Sequence, residues 1–124
     1  MKKLLLLLLI ATACQNVNYP DVIHLEGGKL HIQGIALDKK ENCLYSSFTS
    51  AFFKSDLEGN IIGSVTGING HLGAMTYDEK TKTVYASLEI KDDEIGRGVS
   101  DALGAERHKK AASRFYIAEI DVRK

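Results

Sequence analysis

An internal repeat of about forty residues is the feature that most constrains the fold of this 124-residue chain. When the sequence is shifted by forty positions, apolar residues stay in register from Ile32 on Leu72 to Phe48 on Leu88. Identical residues also coincide: His31 with His71, Asp38 with Asp78, Lys40 with Lys80, Tyr45 with Tyr85, and Ser47 with Ser87. A register that persists over this length predicts two copies of one structural unit.

The first unit has the alternation of apolar and polar residues that is typical of β-strands. Polar turns separate four such stretches, and the Glu58-Gly59-Asn60 turn contains residues that tolerate positive φ. We therefore expect four consecutive antiparallel strands at residues 33–38, 43–48, 52–57 and 61–65.

The second unit is interrupted by an insertion at residues 89–113. Residues 71–88 supply two strands, and residues 114–120 match the third strand of the first unit, with Phe115 on Phe52 and Glu119 on Asp56. Within the insertion, Ser100 and Asp101 are candidate caps of a short helix that runs through Ala111 and Ala112.

Four strands per forty residues, repeated in tandem, favour an all-β fold of antiparallel four-stranded blades, namely an incomplete β-propeller. The run from Gly34 to Asp38, followed by a polar loop and Leu44-Tyr45, resembles the superfamily of six- and seven-bladed propellers. That superfamily includes gluconolactonase-like, strictosidine-synthase-like and NHL-repeat proteins. A small β-sandwich is the alternative, but it does not account for the forty-residue period.

The resemblance implies one blade at residues 31–70 and an incomplete blade at residues 71–124. Residues 22–25 would supply an additional strand for closure. A propeller needs four to eight blades, or at least about 160 residues. We therefore expect the chain to be the N-terminal portion of a larger propeller, or several copies to assemble.

The N-terminus has the layout of a bacterial secretory signal at residues 1–13, with Lys2 and Lys3 before an apolar run at residues 4–10. The segment that ends at Cys14 resembles the lipobox of bacterial lipoproteins. This resemblance implies that Cys14 receives a diacylglyceryl group and becomes the mature N-terminus, followed by a tether at residues 14–21. Gln15, rather than aspartate, favours the outer membrane. An unlipidated secreted protein is the alternative.

Two groups of residues are candidate ligand sites. His31 and His71 precede the innermost strand of their units, where they would bind a divalent metal or a ligand near the central channel, or act as structural latches. Asp92, Asp93 and Glu94 are candidate oxygen ligands for calcium, although their spacing matches no EF-hand.

Other repeated residues have a structural interpretation. Asp38 and Asp78 are expected to accept backbone hydrogen bonds in turns, and Tyr45 and Tyr85 to pack between blades. Cys43, the one thiol that is left after modification of Cys14, is expected to be buried and inert.

The composition excludes a nucleic-acid surface, because Lys and Arg together balance Asp and Glu at 16 each. No nucleophile elbow, phosphate loop or dinucleotide motif is present. The sequence therefore predicts a lipid-anchored protein of the cell envelope that binds a ligand or a protein partner. The alternatives are the N-terminal part of a metal-dependent propeller hydrolase of the lactonase or esterase type, and a remnant without function. Whether the chain is an enzyme stays open, and no cofactor other than a divalent metal is expected.

Overall fold

The computed structural model describes residues 18–25, 31–91, 94–102 and 113–123. The predicted signal sequence at residues 1–13, Cys14, Asp92 and Asp93 lie outside these residues. The described part contains seven strands and one helix: β1 (Ile32–Asp38), β2 (Cys43–Phe48), β3 (Ala51–Asp56), β4 (Ile61–Thr66), β5 (His71–Asp78), β6 (Thr83–Ile90), α1 (Glu94–Ala102) and β7 (Arg114–Asp121).

The strands form two antiparallel sheets, with the order β1-β2-β3-β4 in the first and β5-β6-β7 in the second. Each predicted strand of the first unit forms within one residue of its expected ends. The all-β, repeat-like character of the two units is therefore confirmed. Among the described residues, no helix is long and apolar enough to cross a membrane.

The repeat extends to the backbone of the first turn in each unit. Asp38 accepts a hydrogen bond from the Lys40 N–H at 3.0 Å, and Asp78 accepts one from the Lys80 N–H at 2.9 Å. Asn42 and Lys82, forty positions apart, both have positive φ, at 52° and 55°. The predicted role of both aspartates as turn acceptors is confirmed.

The third strand of the second unit lies two residues away from its predicted alignment. Phe52 is paired with Ser47, and the residue that is paired with the equivalent Ser87 is Ile117. Ile117, not Phe115, therefore takes the position of Phe52, and Asp121, not Glu119, takes that of Asp56. A shift of two residues preserves which side chains share a face of the sheet.

The two sheets pack face to face through β1, β2 and β5. The core contains Tyr45 and Phe52 from the first sheet and Leu72, Val84 and Ala86 from the second. The Ser47 hydroxyl donates a hydrogen bond across this interface to the Gly73 carbonyl oxygen at 2.7 Å. Two backbone bonds connect the β2–β3 turn with the linker and β5, from the Ile68 N–H to the Ser50 oxygen and from the Leu72 N–H to the Thr49 oxygen, both 3.0 Å.

The strand predicted at residues 22–25 does not form. This segment instead passes the β3–β4 turn, where a Cβ on Gly59 would lie 2.1 Å from the His24 carbonyl oxygen. Residues 22–25 thus lie close to this turn without pairing with a strand. Gly59 has a φ of 93°, so the turn needs glycine for both its conformation and this close approach.

The insertion contains a helix, but α1 begins at Glu94 and ends at Ala102. Positions 100 and 101 thus lie in its last turn, and the prediction that Ser100 and Asp101 cap its start is wrong. A glutamate in the first turn suits the positive end of the helix dipole. Residues 103–112 lie outside the described part of the chain. They include Ala111 and Ala112, the end of the predicted helix.

Candidate functional site

A cavity of about 260 Å³ opens between the two sheets at the end where the first turn of each unit lies. This inter-sheet cavity is lined by charged residues and two tyrosines: Asp38, Glu41, Tyr45, Lys54, Tyr77 and Lys82. Arg123, which follows β7, contributes to its wall. Both repeat units thus supply polar side chains to one concave site.

Asp38 is the buried anion of this cavity, with 1% of its surface exposed. Its Oδ1 accepts hydrogen bonds from the backbone N–H groups of Lys40 and Glu41 at 3.0 and 3.1 Å. Its Oδ2 lies 3.8 Å from the Lys82 ammonium nitrogen. Burial opposes ionisation, but the nearby Tyr77 hydroxyl, the two N–H groups and the Lys82 charge outweigh it and hold the pKa of Asp38 below its ordinary value.

Two tyrosine rings form the apolar wall of the cavity. The ring centroids of Tyr45 and Tyr77 are 5.2 Å apart, and those of Tyr45 and Phe52 are 5.9 Å apart. The ammonium groups of Lys54 and Lys82 each lie 5.9 Å from a ring centroid, over Tyr45 and Tyr77 respectively. Burial raises the pKa of both phenols well above its ordinary value, so both are neutral donors at physiological pH.

The structure places His31 just before β1, exposed, and His71 at the first residue of β5, half-buried. They occupy equivalent positions in the two units, as the sequence indicates. Among the described residues, no group of three or more His, Cys, Asp or Glu side chains lies together in a way that could hold a metal ion. Metal binding by these histidines stays a prediction.

The other predicted residues are accounted for only in part. Glu94 is the first residue of α1, whereas Asp92 and Asp93 lie outside the described part, so the calcium hypothesis is not tested. The Cys43 thiol is buried, and burial raises its pKa. The prediction of a buried cysteine is therefore confirmed.

Each sheet also has an exposed face with apolar side chains. On the second sheet, Phe115 and Ile117 are 74% and 70% exposed. They are paired with Glu89 and Ser87 of β6, so they lie on the side of the sheet that faces away from the core. On the first sheet, Ile32 and Ile35 are 50% and 60% exposed.

Three of these four exposed residues are equivalent to residues that lie between the sheets. Ile117 takes the position of the buried Phe52, and Ile32 and Ile35 are the equivalents of Leu72 and Met75, which belong to the core or pack against it. Tyr45 is buried between the sheets as predicted. Its equivalent Tyr85 is paired with Glu119 and shares the exposed face of the second sheet, so it does not pack between the two described sheets.

Sequence reasoning missed Tyr77 and Lys82 as members of the cavity. The shift by forty positions places Lys82 on Asn42 and Tyr77 on Leu37. These are the positions where the second unit replaces a residue of the first by one with a longer or more polar side chain. These differences between the two repeats, rather than the identities, are the sequence signal from which Tyr77 and Lys82 could be identified.

Comparison with known proteins gives little further information. No family model matches the sequence, and no curated protein is significantly similar to it. The crystal structure of the computationally designed Ika4 protein matches with a TM-score of 0.46 and 18% identity. That match covers 56% of this chain and 42% of the designed one, so the chain spans less than half of its length. A likeness of this degree supports no conclusion about fold or function.

Proposed function

We propose that this chain is a lipid-anchored extracytoplasmic protein of the β-propeller type that acts by binding partners at the bacterial cell envelope. The lipobox-like segment that ends at Cys14 supports the anchor. The forty-residue repeat of antiparallel strands supports the propeller-type architecture.

The observation that carries the binding function is the equivalence between exposed and buried faces. The first sheet packs on the second through the face that contains Tyr45 and Phe52. The second sheet exposes the corresponding face, with Ile117 at the position of Phe52. Conversely, the first sheet exposes Ile32 and Ile35, whose equivalents in the second sheet are covered.

The exposed apolar side chains supply a driving force for association. Full burial of one large aliphatic or aromatic side chain contributes about 1.5–3 kcal/mol. The face that contains Ile117 fits a surface like that of the second sheet around Leu72, and the face that contains Ile32 fits one like that around Phe52. We therefore propose that further units of the same repeat cover both faces, head to tail.

The oligomeric state of the full chain tests this proposal. We expect light scattering after size-exclusion chromatography to show association at micromolar concentration. We also expect Ile117→Lys to reduce it, because the ammonium group would be buried without a partner. Val22→Lys is the matched control, since Val22 is 65% exposed and lies outside both sheets. A monomer that melts cooperatively would contradict the proposal, as would equal effects of the two variants.

A further inference from the structure

A groove between β4 and the end of β7 has an accessible apolar wall. Among the described residues the second sheet ends at β7, so no strand of that sheet lies opposite β4. Val65 is paired with Phe52 of the core, so both side chains belong to the face that packs on the second sheet. Phe52 is 3% exposed, whereas Val65 is 47% exposed. The inner face of the first sheet is therefore covered at β3 and open at β4.

This β4–β7 groove has a volume of about 270 Å³. A bulge in the pairing of β3 with β4 leaves Ile62 without a partner in the register, and such bulges are common next to functional sites. Ile62 lines the groove and is 56% exposed. Both units contribute side chains to the groove: Lys54, Ile62, Val65, Ile120, Val122 and Arg123.

Lys54 supplies the groove with a positive charge that no carboxylate neutralises. Its side chain is half-buried, and no carboxylate of the described residues lies within ion-pair distance of its ammonium nitrogen. Arg123, by contrast, donates hydrogen bonds to both carboxylate oxygens of Asp121, at 2.9 and 2.7 Å. Two cations and one anion leave a single positive charge, which an anionic group of a ligand would complement.

We propose that the β4–β7 groove binds a small monocarboxylate with a short hydrocarbon chain. The Lys54 ammonium group donates hydrogen bonds to the carboxylate. The hydrocarbon chain packs on Ile62, Val65 and Ile120, and all four of these side chains have accessible surface.

The dimensions and the composition of the groove limit the ligand further. Its volume of about 270 Å³ is slightly below the range of typical ligand pockets, which suits a short acyl chain rather than a long-chain fatty acid. A phosphate ion would leave the apolar wall in water, and a neutral hydrocarbon would leave Lys54 unpaired. The groove lies within one chain, so the proposal does not depend on the association proposed above.

Titration of the full chain with three probes tests the ligand class. Sodium hexanoate has both a carboxylate and a hydrocarbon chain, 1-hexanol has the chain without the charge, and sodium acetate has the charge without the chain. Valine and isoleucine methyl resonances in NMR spectra and the heat of binding report occupancy. We expect hexanoate to bind at millimolar concentration and the other two to bind more weakly.

Three results would overturn the proposal. Equal affinity for 1-hexanol would show that Lys54 contributes nothing, and equal affinity for acetate would show that the apolar wall contributes nothing. Binding of none of the three probes would also overturn it, and is expected if a strand of a second copy pairs with the free edge of β7 and fills the groove.

Two substitutions test the residues of the groove. Lys54→Met is expected to weaken hexanoate binding roughly three- to tenfold without changing the affinity for 1-hexanol, because it removes the charge and keeps an unbranched side chain. Val65→Asp is expected to abolish hexanoate binding, because it replaces apolar contact by a like charge. Circular dichroism identifies any variant that does not fold.

Matched controls distinguish the groove from the rest of the surface. Lys39→Met removes an exposed charge from the turn after β1, and Ile117→Ser removes an exposed apolar side chain from the outer face of the second sheet. Neither should change the affinity for hexanoate. Loss of binding in Ile117→Ser, or unchanged affinity in both folded groove variants, would contradict the assignment.

Discussion

At the scale of single residues, Asp38 and Asp78 have the same local function and different surroundings. Both accept backbone hydrogen bonds in the first turn of their unit. Asp38 is in addition buried against the second sheet, where Lys82 lies 3.8 Å from its free oxygen. Asp78 has no sheet packed over it among the described residues. The same residue type is therefore a surface turn acceptor in one copy and a buried ion in the other.

The surroundings of Asp38 predict a pH dependence of stability. Its folded-state pKa is below the ordinary value of 3.8, so its stabilising contribution is complete above about pH 4 and is lost as the pH falls through the lower folded-state pKa. We expect Asp38→Asn to lower the free energy of unfolding at pH 7 by about 1–3 kcal/mol, since it removes a buried charge that is hydrogen-bonded. The difference from the wild type should shrink below pH 4, as measured by urea unfolding between pH 2 and pH 7.

Asp78→Asn is the control for this experiment. Its pKa is also lowered, mainly by the Lys80 N–H, but the side chain is in contact with solvent. We therefore expect a smaller difference at every pH. A variant at Asp38 whose stability stays parallel to that of the wild type down to pH 2 would contradict the assignment.

The turn function of both aspartates could be predicted from the sequence, because an aspartate before a polar loop hydrogen-bonds to the following N–H groups in most contexts. The pairing of Asp38 with Lys82 could not. These residues are 44 positions apart, and only the packing of one sheet on the other brings them together.

At the scale of elements, the close approach of β1 and β5 determines how the sheets pack. A Cβ on Gly34 would lie 2.6 Å from the Gly73 oxygen and 2.9 Å from the Ala74 Cα. Both of these neighbours are backbone atoms, which cannot move away by a change of side-chain rotamer. The edge strands β1 and β5 therefore pack at a distance that only glycine permits on the β1 side.

Gly34→Ala should therefore destabilise the interface between the sheets. We expect a loss of about 1–3 kcal/mol in the free energy of unfolding, which is typical of overpacking. Gly63→Ala is the control, because its added Cβ would meet only the Lys54 Cβ at 3.7 Å, an ordinary contact. Thermal and urea unfolding measure both. Equal stability of the two variants would show that β1 and β5 do not approach as described.

The strands of the first unit were predictable because strict alternation and turn residues define their ends. The register of β7 was not, because the insertion separates it from β6 and no short turn fixes the pairing. The sequence pattern does not reveal the two-residue error in the alignment of β7, because Phe115 and Ile117 are both apolar and lie on the same face of the sheet.

At the scale of the whole molecule, the predicted N-terminal signal, if it is functional, determines where the chain works. If Cys14 is acylated, the wild type should be recovered with membranes and should incorporate labelled palmitate. Cys14→Ser should remove the label and shift the protein to the soluble fraction, because the thiol is the proposed site of acylation. Cys43→Ser is the matched control, and it should keep both label and location. Label that remains in Cys14→Ser would contradict the lipobox assignment.

The head-to-tail association that we propose has a geometrical consequence for an assembly of copies. Each contact joins two different surfaces, the face that contains Ile117 on one copy and the face that contains Ile32 on the next. A pair of copies therefore leaves one surface of each kind uncovered, and every added copy does the same. Growth stops only if the rotation from one sheet to the next divides a full circle; otherwise it continues as a fibre. The close approach of β1 and β5 at Gly34 helps to set that rotation. The absence of a Cβ at this position therefore influences whether an assembly closes into a ring or continues as a fibre.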